Sequence, residues 1–198
     1  MNKVDIKSFD LDDLPEDDIM EEKKKKVNGK KKGNRFELEV AKDLSSRFKD
    51  TFRRVPQSGA IVGGLNKIYN EGLRTDAQEI FAGDIISPQW FPFCIEAKNY
   101  ANTPKMVNLL SIGDKDLDKW IKQSKISAQT ANKDWILIFK ITEGRKSFAC
   151  LDQNLFFRIC KNDMKRFIIY KDTIIIDYKE FLDKHIKNFF PLEVKERL

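Results

Sequence analysis

The sequence predicts an α/β fold in which helices flank a mixed central sheet. Three observations carry that expectation. Helical periodicity covers Asn34 to Phe48 and Asp114 to Ala131, short apolar segments lie between and after these stretches, and the resulting order is helix, strands, helix, strand, then further strands. The chain has 198 residues, of which 41% are hydrophobic and 15 are Phe, so it carries enough apolar material for a buried core and is not an intrinsically disordered chain.

Asn34 to Phe48 is expected as the first helix because Phe36, Val40, Ala41, Leu44 and Phe48 gather on one side at roughly 100° per residue. Glu37 falls in the middle of that apolar side, whereas Glu39 points away from it. Phe52 to Pro56 reads as a short strand and Ser58 to Gly83 as a long, glycine-containing connection. Gly83 to Ser87 and Phe91 to Lys98 are expected to pair as a hairpin around Pro88-Gln89. In the second of these strands a period of two sends Phe91, Phe93 and Ile95 to one face and Cys94, Glu96 and Lys98 to the other. Asp114 to Ala131 is an amphipathic helix with Leu117, Trp120, Ile121, Ser124 and Ala128 on one side, and Trp135 to Ile141 is an apolar strand. Four more strands are expected at Lys146 to Leu151, Leu155 to Cys160, Arg166 to Tyr170 and Thr173 to Asp177, followed by a helix over Tyr178 to Asn188.

Charge is unevenly distributed. Residues 1–22 hold nine acids against Lys3 and Lys7, a net −7, while residues 23–198 carry 35 bases against 22 acids, a net +13. That balance suits a polyanion and makes DNA or RNA the leading partner. Lys23 to Arg35 contains eight bases and no acid, with Gly29 and Gly33 interspersed. It reads as a flexible arm, either following phosphates or serving as a solvated linker. The domain reading is therefore an acidic then polybasic arm over 1–32 and one domain over 33–198, its core at 33–141 and a β-rich extension at 146–198. No stretch reaches the ~18 apolar residues of a spanning helix, and the acidic start lacks the basic-then-apolar order of a signal peptide. The expectation is an intracellular protein with no membrane association. Cys94, Cys150, Cys160 and His185 have neither disulfide-framework nor zinc-ligand spacing, so a metal would have to sit on carboxylates. His185 is expected at the surface or as a cap, and Trp90, Trp120 and Trp135 as core or rim packing.

In the hairpin, Asp84 can face Glu96 across the ladder, and Lys98 is the same-face neighbour of Glu96 about 7 Å along the strand. Two acids and a lysine converge there. They form either a surface cross-strand pair or, because Ile85, Ile86, Phe93 and Ile95 make the hairpin central, a buried cluster that needs something to bind. Glu37 has the same two readings: an ion pair at the helix edge, or an acid delivered to a reacting group.

Gly83-Asp84, eleven residues, then Glu96-Ala97-Lys98, preceded by a helix bearing Glu37, resembles the PD-(D/E)XK nuclease superfamily. Gly33-Asn34-Arg35-Phe36-Glu37 and Arg53-Arg54-Val55-Pro56-Gln57-Ser58-Gly59 are similar to segments of archaeal-type Holliday junction resolvases and related phage endonucleases. The likeness covers residues 33–140. It departs at Gly83, which stands where the motif name has Pro, in the long Ser58 to Gly83 connection, and in the strands after Lys146.

The resemblance implies a restriction-endonuclease-like three-layer core with additional C-terminal strands and a helix. It implies a metal-dependent DNA endonuclease, structure-selective for branched recombination intermediates such as Holliday junctions, using Mg2+ with Mn2+ as a substitute. A homodimer is expected, since cutting a symmetric junction takes two centres related by a two-fold axis. The implied catalytic residues are Glu37, Asp84, Glu96 and Lys98. Asp84, Glu96 and Glu37 would hold the metal, and Lys98 would serve the attacking water or the phosphate. Arg35, Arg53, Arg54, Ser58 and Gln123 are the implied nucleic-acid contacts. Two alternatives stand beside this reading: a nuclease of the same fold acting on linear, nicked or flap DNA or on RNA, and a non-catalytic basic DNA-binding module.

Overall fold

The computed structural model describes residues 29–56, 79–100, 104–141, 146–160 and 166–195. Among the described residues seven strands form one sheet: β1 (Arg53–Arg54), β2 (Ile85–Ile86), β3 (Phe93–Lys98), β4 (Asp134–Lys140), β5 (Ser147–Asp152), β6 (Phe167–Tyr170) and β7 (Thr173–Asp177). Their spatial order is β1-β2-β3-β4-β5-β7-β6. Only β3 and β4 run parallel; the other neighbours are antiparallel, so the sheet is mixed, as the sequence predicts. A parallel pair needs a crossover, and here α2 (Met106–Leu110) and α3 (Lys115–Ala131) lie between β3 and β4 in the chain.

Helices among the described residues also include α1 (Gly29–Phe48), α4 (Gln153–Ile159), α5 (Tyr178–Glu180) and α6 (Leu192–Lys195). The turn of α5 continues as a π segment over Phe181–His185 and a 3-10 segment over Ile186–Phe189.

Strand alternation sorts the core into two layers. Ile95, Ala97, Ile136, Ile138, Ala149 and Leu151 pack against Phe36, Val40 and Leu44 of α1, Phe156 of α4 and Phe181 of the C-terminal helical segment. Cys94, Leu137, Phe139, Cys150 and Ile175 pack against Leu117, Trp120, Ile121 and Ala128 of α3. The result is the helix, sheet, helix arrangement of a restriction-endonuclease-like core. The phase of α3 is set at both ends: the Asp114 carboxylate accepts from the N–H groups of Asp116 and Leu117, and Asn132 closes the helix in the left-handed region at φ 50°.

Several local expectations are corrected. Leu155 to Cys160 is not a strand: Leu155 to Ile159 lie within α4 and Cys160 caps its end, because the Asp152 side chain accepts the Leu155 N–H as an N-cap and Leu155, Phe156 and Ile159 then share one side. The first helix starts at Gly29 rather than Asn34, so Gly29 to Lys32, counted with the arm, form its opening turn, and Lys32 Nζ donates to the Tyr100 carbonyl at 2.8 Å. His185 is a buried residue rather than a surface or capping one, with its ring edge-on to Phe156 at 5.6 Å between centroids. Helix α2 carries no clear sequence signal. The acidic tail and most of the connection after Ser58 lie outside the described residues. Among the described residues no helix is long and apolar enough to cross a membrane.

Candidate active site

The site is built on the β2–β3 hairpin. Ile85 pairs with Ile95, the Asp84 N–H donates to the Ile95 carbonyl at 2.8 Å, and the Asp84 carbonyl accepts the Val55 N–H at 2.9 Å, so the backbone of Asp84 is fixed from both sides. Gly83 precedes it at φ +80°, a region closed to proline and strained for any L side chain. This conformation accounts for the glycine where the motif name has Pro.

From β3, Glu96 and Lys98 project toward the α3 side and meet Asp84. Lys98 Nζ donates to Asp84 Oδ2 at 2.7 Å and to Glu96 Oε2 at 2.5 Å. The Ala97 N–H also donates to Asp84 Oδ2, at 2.9 Å. All three charged residues are buried, with Asp84 4%, Glu96 1% and Lys98 7% exposed. From α3, Gln123 Nε2 donates to Glu96 Oε2 at 3.0 Å and Ser127 Oγ donates to Glu96 Oε1 at 2.8 Å.

Burial first, and the neighbouring Asp84 charge second, raise the Glu96 carboxyl to about 7, against the opposing pull of Lys98. Burial works to lower Lys98, but the Glu96 and Asp84 carboxylates outweigh it and hold the ammonium above its ordinary value. Burial, then the Glu96 charge, push the adjacent Cys94 thiol up to about 12, which leaves it a neutral packing group.

Glu37 is buried as the helical wheel indicates, at 7% exposed, while its neighbour Leu38 is 45% exposed. Its carboxylate does not join Asp84 and Glu96 in a three-acid set: among the described residues no three His, Cys, Asp or Glu side chains converge as a metal-binding group. Instead Glu37 Oε2 accepts from Arg54 Nε at 2.6 Å, and Arg54 also donates to Asn34 Oδ1 at 3.0 Å. Arg54 is thereby held on the α1 side, next to the hairpin through the Arg54 and Ile85 pairing. Arg35 and Arg53 are exposed. Ser58 lies outside the described residues.

Ser127 is the site residue that the sequence reading misses. The available signal is its position four residues after Gln123, which puts both on one helix face. The pair Asp84 and Glu96 offers hard oxygen donors already gathered around a cationic group, and a small divalent ion is commonly held by one or two carboxylates plus substrate phosphate, so the donor set fits magnesium or manganese.

A family model described as phage putative PDDEXK endonuclease matches residues 28–196. Protein D14 of Escherichia phage T5 is 30% identical over 123 residues, which span 60% of this chain and 68% of that protein. No solved structure matches the chain.

Proposed function

The chain belongs to the phage PDDEXK endonuclease family, and on that premise we propose that it is a metal-dependent DNA endonuclease that hydrolyses phosphodiester bonds in branched DNA, Holliday junctions among its substrates. One observation carries the reading: Asp84, Glu96 and Lys98 are buried together with the ammonium between the two carboxylates. Burying three charges costs several kcal/mol, and an apolar core would be as stable or more so, so such a cluster is better explained by chemistry than by stability.

Asp84 and Glu96 are the residues that would hold the ion, and a bound divalent cation there supplies an activated water and neutralises charge on the phosphate. Gln123 and Ser127 orient Glu96. Lys98 directs its ammonium to the attacking water or to the phosphate oxygens. Glu37 acts by fixing the guanidinium of Arg54, a donor suited to a phosphate, with Arg35 and Arg53 as exposed contacts beside it. The net +13 of residues 23–198 supplies the long-range attraction for the polyanion. Two such centres in a homodimer suit a symmetric junction.

A second reading is cleavage of linear, nicked or flap DNA. The family match reaches residue 196, past the resolvase-like residues 33–140, so the family assignment rests on more of the chain than the junction-resolvase likeness does, and the C-terminal strands favour neither substrate. The intact Asp84, Glu96 and Lys98 set supports catalysis over a non-catalytic DNA-binding module.

The test is cleavage of a labelled four-way junction beside linear, nicked, flap and single-stranded DNA in magnesium, manganese or EDTA, with Lys98→Ala as the control. Metal-dependent cutting of the junction by the unmodified protein supports the first reading. Cutting of another substrate transfers the site to the second. Tight binding without cutting of any substrate overturns both.

A further inference from the structure

Tyr100 is the one exposed aromatic side chain among the described residues; every other Phe, Tyr and Trp there is buried or half-buried. Its ring stacks on Trp120 of α3, with centroids 5.4 Å apart and planes 20° from parallel. Tyr100 nevertheless remains 50% exposed, while Trp120 beneath it is 8% exposed. The backbone is held as well, because Lys32 Nζ donates to the Tyr100 carbonyl at 2.8 Å. A ring supported in this way and still open to solvent is a stacking surface whose side chain is ordered before a ligand arrives.

Its position indicates the ligand. Tyr100 follows Lys98 by two residues, so their Cα atoms are no more than ~7 Å apart. Trp120 stands one helical turn before Gln123, the residue that donates to Glu96 Oε2 at 3.0 Å. The contacts between α3 and this stretch of chain thus run side by side, Gln123 on Glu96 and Trp120 on Tyr100, and the aromatic pair flanks the buried acid and lysine cluster. Bases inside a duplex are stacked on one another and present only their edges, so an aromatic face serves a base that has left the stack. We propose that Tyr100, backed by Trp120, is a stacking platform for an unpaired base next to the phosphodiester being cut, and that it favours DNA in which a strand leaves the duplex there over continuous duplex. Because every base has a π-face, such a platform selects the branch without selecting its sequence. The inference rests on the nuclease reading above and narrows its substrate.

The experiment measures binding of the full chain in EDTA to a duplex with a single-stranded branch and to the continuous duplex of the same length. Tyr100→Leu keeps an apolar cover on Trp120 but has no aromatic face. It is expected to weaken binding to the branched DNA by about tenfold, the scale of one lost base stack, and to leave affinity for the continuous duplex unchanged. Tyr100→Phe keeps the ring and is expected to keep both affinities. In the unmodified protein, 5-iodouracil at the first unpaired position of the branch is expected to crosslink to Tyr100 on irradiation, a readout that does not depend on the folding of any variant. Unchanged affinity of Tyr100→Leu for the branched DNA, an equal loss on both DNAs, or a crosslink that maps to another residue overturns the inference and leaves the nuclease reading standing. Failure of the unmodified protein to bind either DNA overturns both.

Discussion

A Cβ placed on Gly83 would stand 2.7 Å from the Ile95 carbonyl oxygen, the same oxygen that accepts the Asp84 N–H at 2.8 Å. The backbone that delivers the acid and the space denied to a side chain are thus one feature. The conflict is with backbone, and the Cys94 Sγ stands 2.9 Å away on a second side, so it has no cheap relief. Gly83→Ala is expected to lose about 2 kcal/mol or more, combining left-handed strain with overpacking. It should also lower cleavage by moving Asp84. Urea unfolding checks the first effect, and a loss below about 0.5 kcal/mol, the range of an ordinary surface change, would contradict the geometry.

Removing Lys98 leaves two buried carboxylates facing each other without their cation. Lys98→Met is expected to lose about 3 kcal/mol in EDTA, the scale for breaking a buried ion pair. Manganese should restore part of that loss, because Asp84 and Glu96 again face a positive charge. Unfolding with and without manganese checks both statements. Asp84→Asn and Glu96→Gln should abolish cleavage while strengthening binding to DNA in EDTA, since each removes a negative charge from the region the phosphate approaches; a gel-shift titration reads the difference.

The Glu96 carboxyl titrates near 7 in the fold against an ordinary value of 4.5. The folded state holds this proton more tightly than the unfolded chain, so the group's contribution to stability is complete below pH 4.5 and has disappeared once pH rises past 7. The metal responds in the opposite direction, because protons compete with it for the same oxygens. Manganese affinity is expected to climb between pH 6 and 7.5 and then level, by up to about tenfold per unit on the rising limb. Glu96→Gln should flatten the stability change over pH 4.5 to 7. A profile in Glu96→Gln identical to that of the unmodified protein would assign the titration to another group.

The sequence reveals most where a short period meets a buried surface. Alternation along β3 puts Glu96 and Lys98 together with Cys94 on one face, and the wheel of α1 buries Glu37 while exposing Leu38, because each pattern reads the local backbone directly. The sequence fails where the deciding partner is distant or competing. Leu155 to Cys160 is apolar enough for a strand, and a single N-cap from Asp152 turns Leu155 to Ile159 into part of α4. His185 reads as polar surface because nothing local shows Phe156 beside it. Ser127 looks like one more small helix residue until β3 lies 31 positions away in sequence but at hydrogen-bonding distance in space. Glu37 was legible as a buried acid, yet its partner Arg54 comes from a two-residue strand whose place at the sheet edge only the tertiary pairing fixes.

That last pair offers a way to separate two roles for Glu37. If it ligated the ion, Glu37→Gln would weaken manganese binding as strongly as Glu96→Gln does. The 2.6 Å contact with Arg54 Nε, with Arg54 also donating to Asn34, supports the other role, in which Glu37 holds a guanidinium ready for a phosphate. Glu37→Gln should then retain manganese affinity and lose cleavage together with affinity for DNA. Arg54→Met should show the same pair of effects, and the double variant should be little worse than either single one. Groups that act as a unit give a coupling of about 1 kcal/mol or more in such a cycle, whereas independent groups add. Additive losses, or a manganese defect in Glu37→Gln alone, would move Glu37 from the Arg54 contact to the ion.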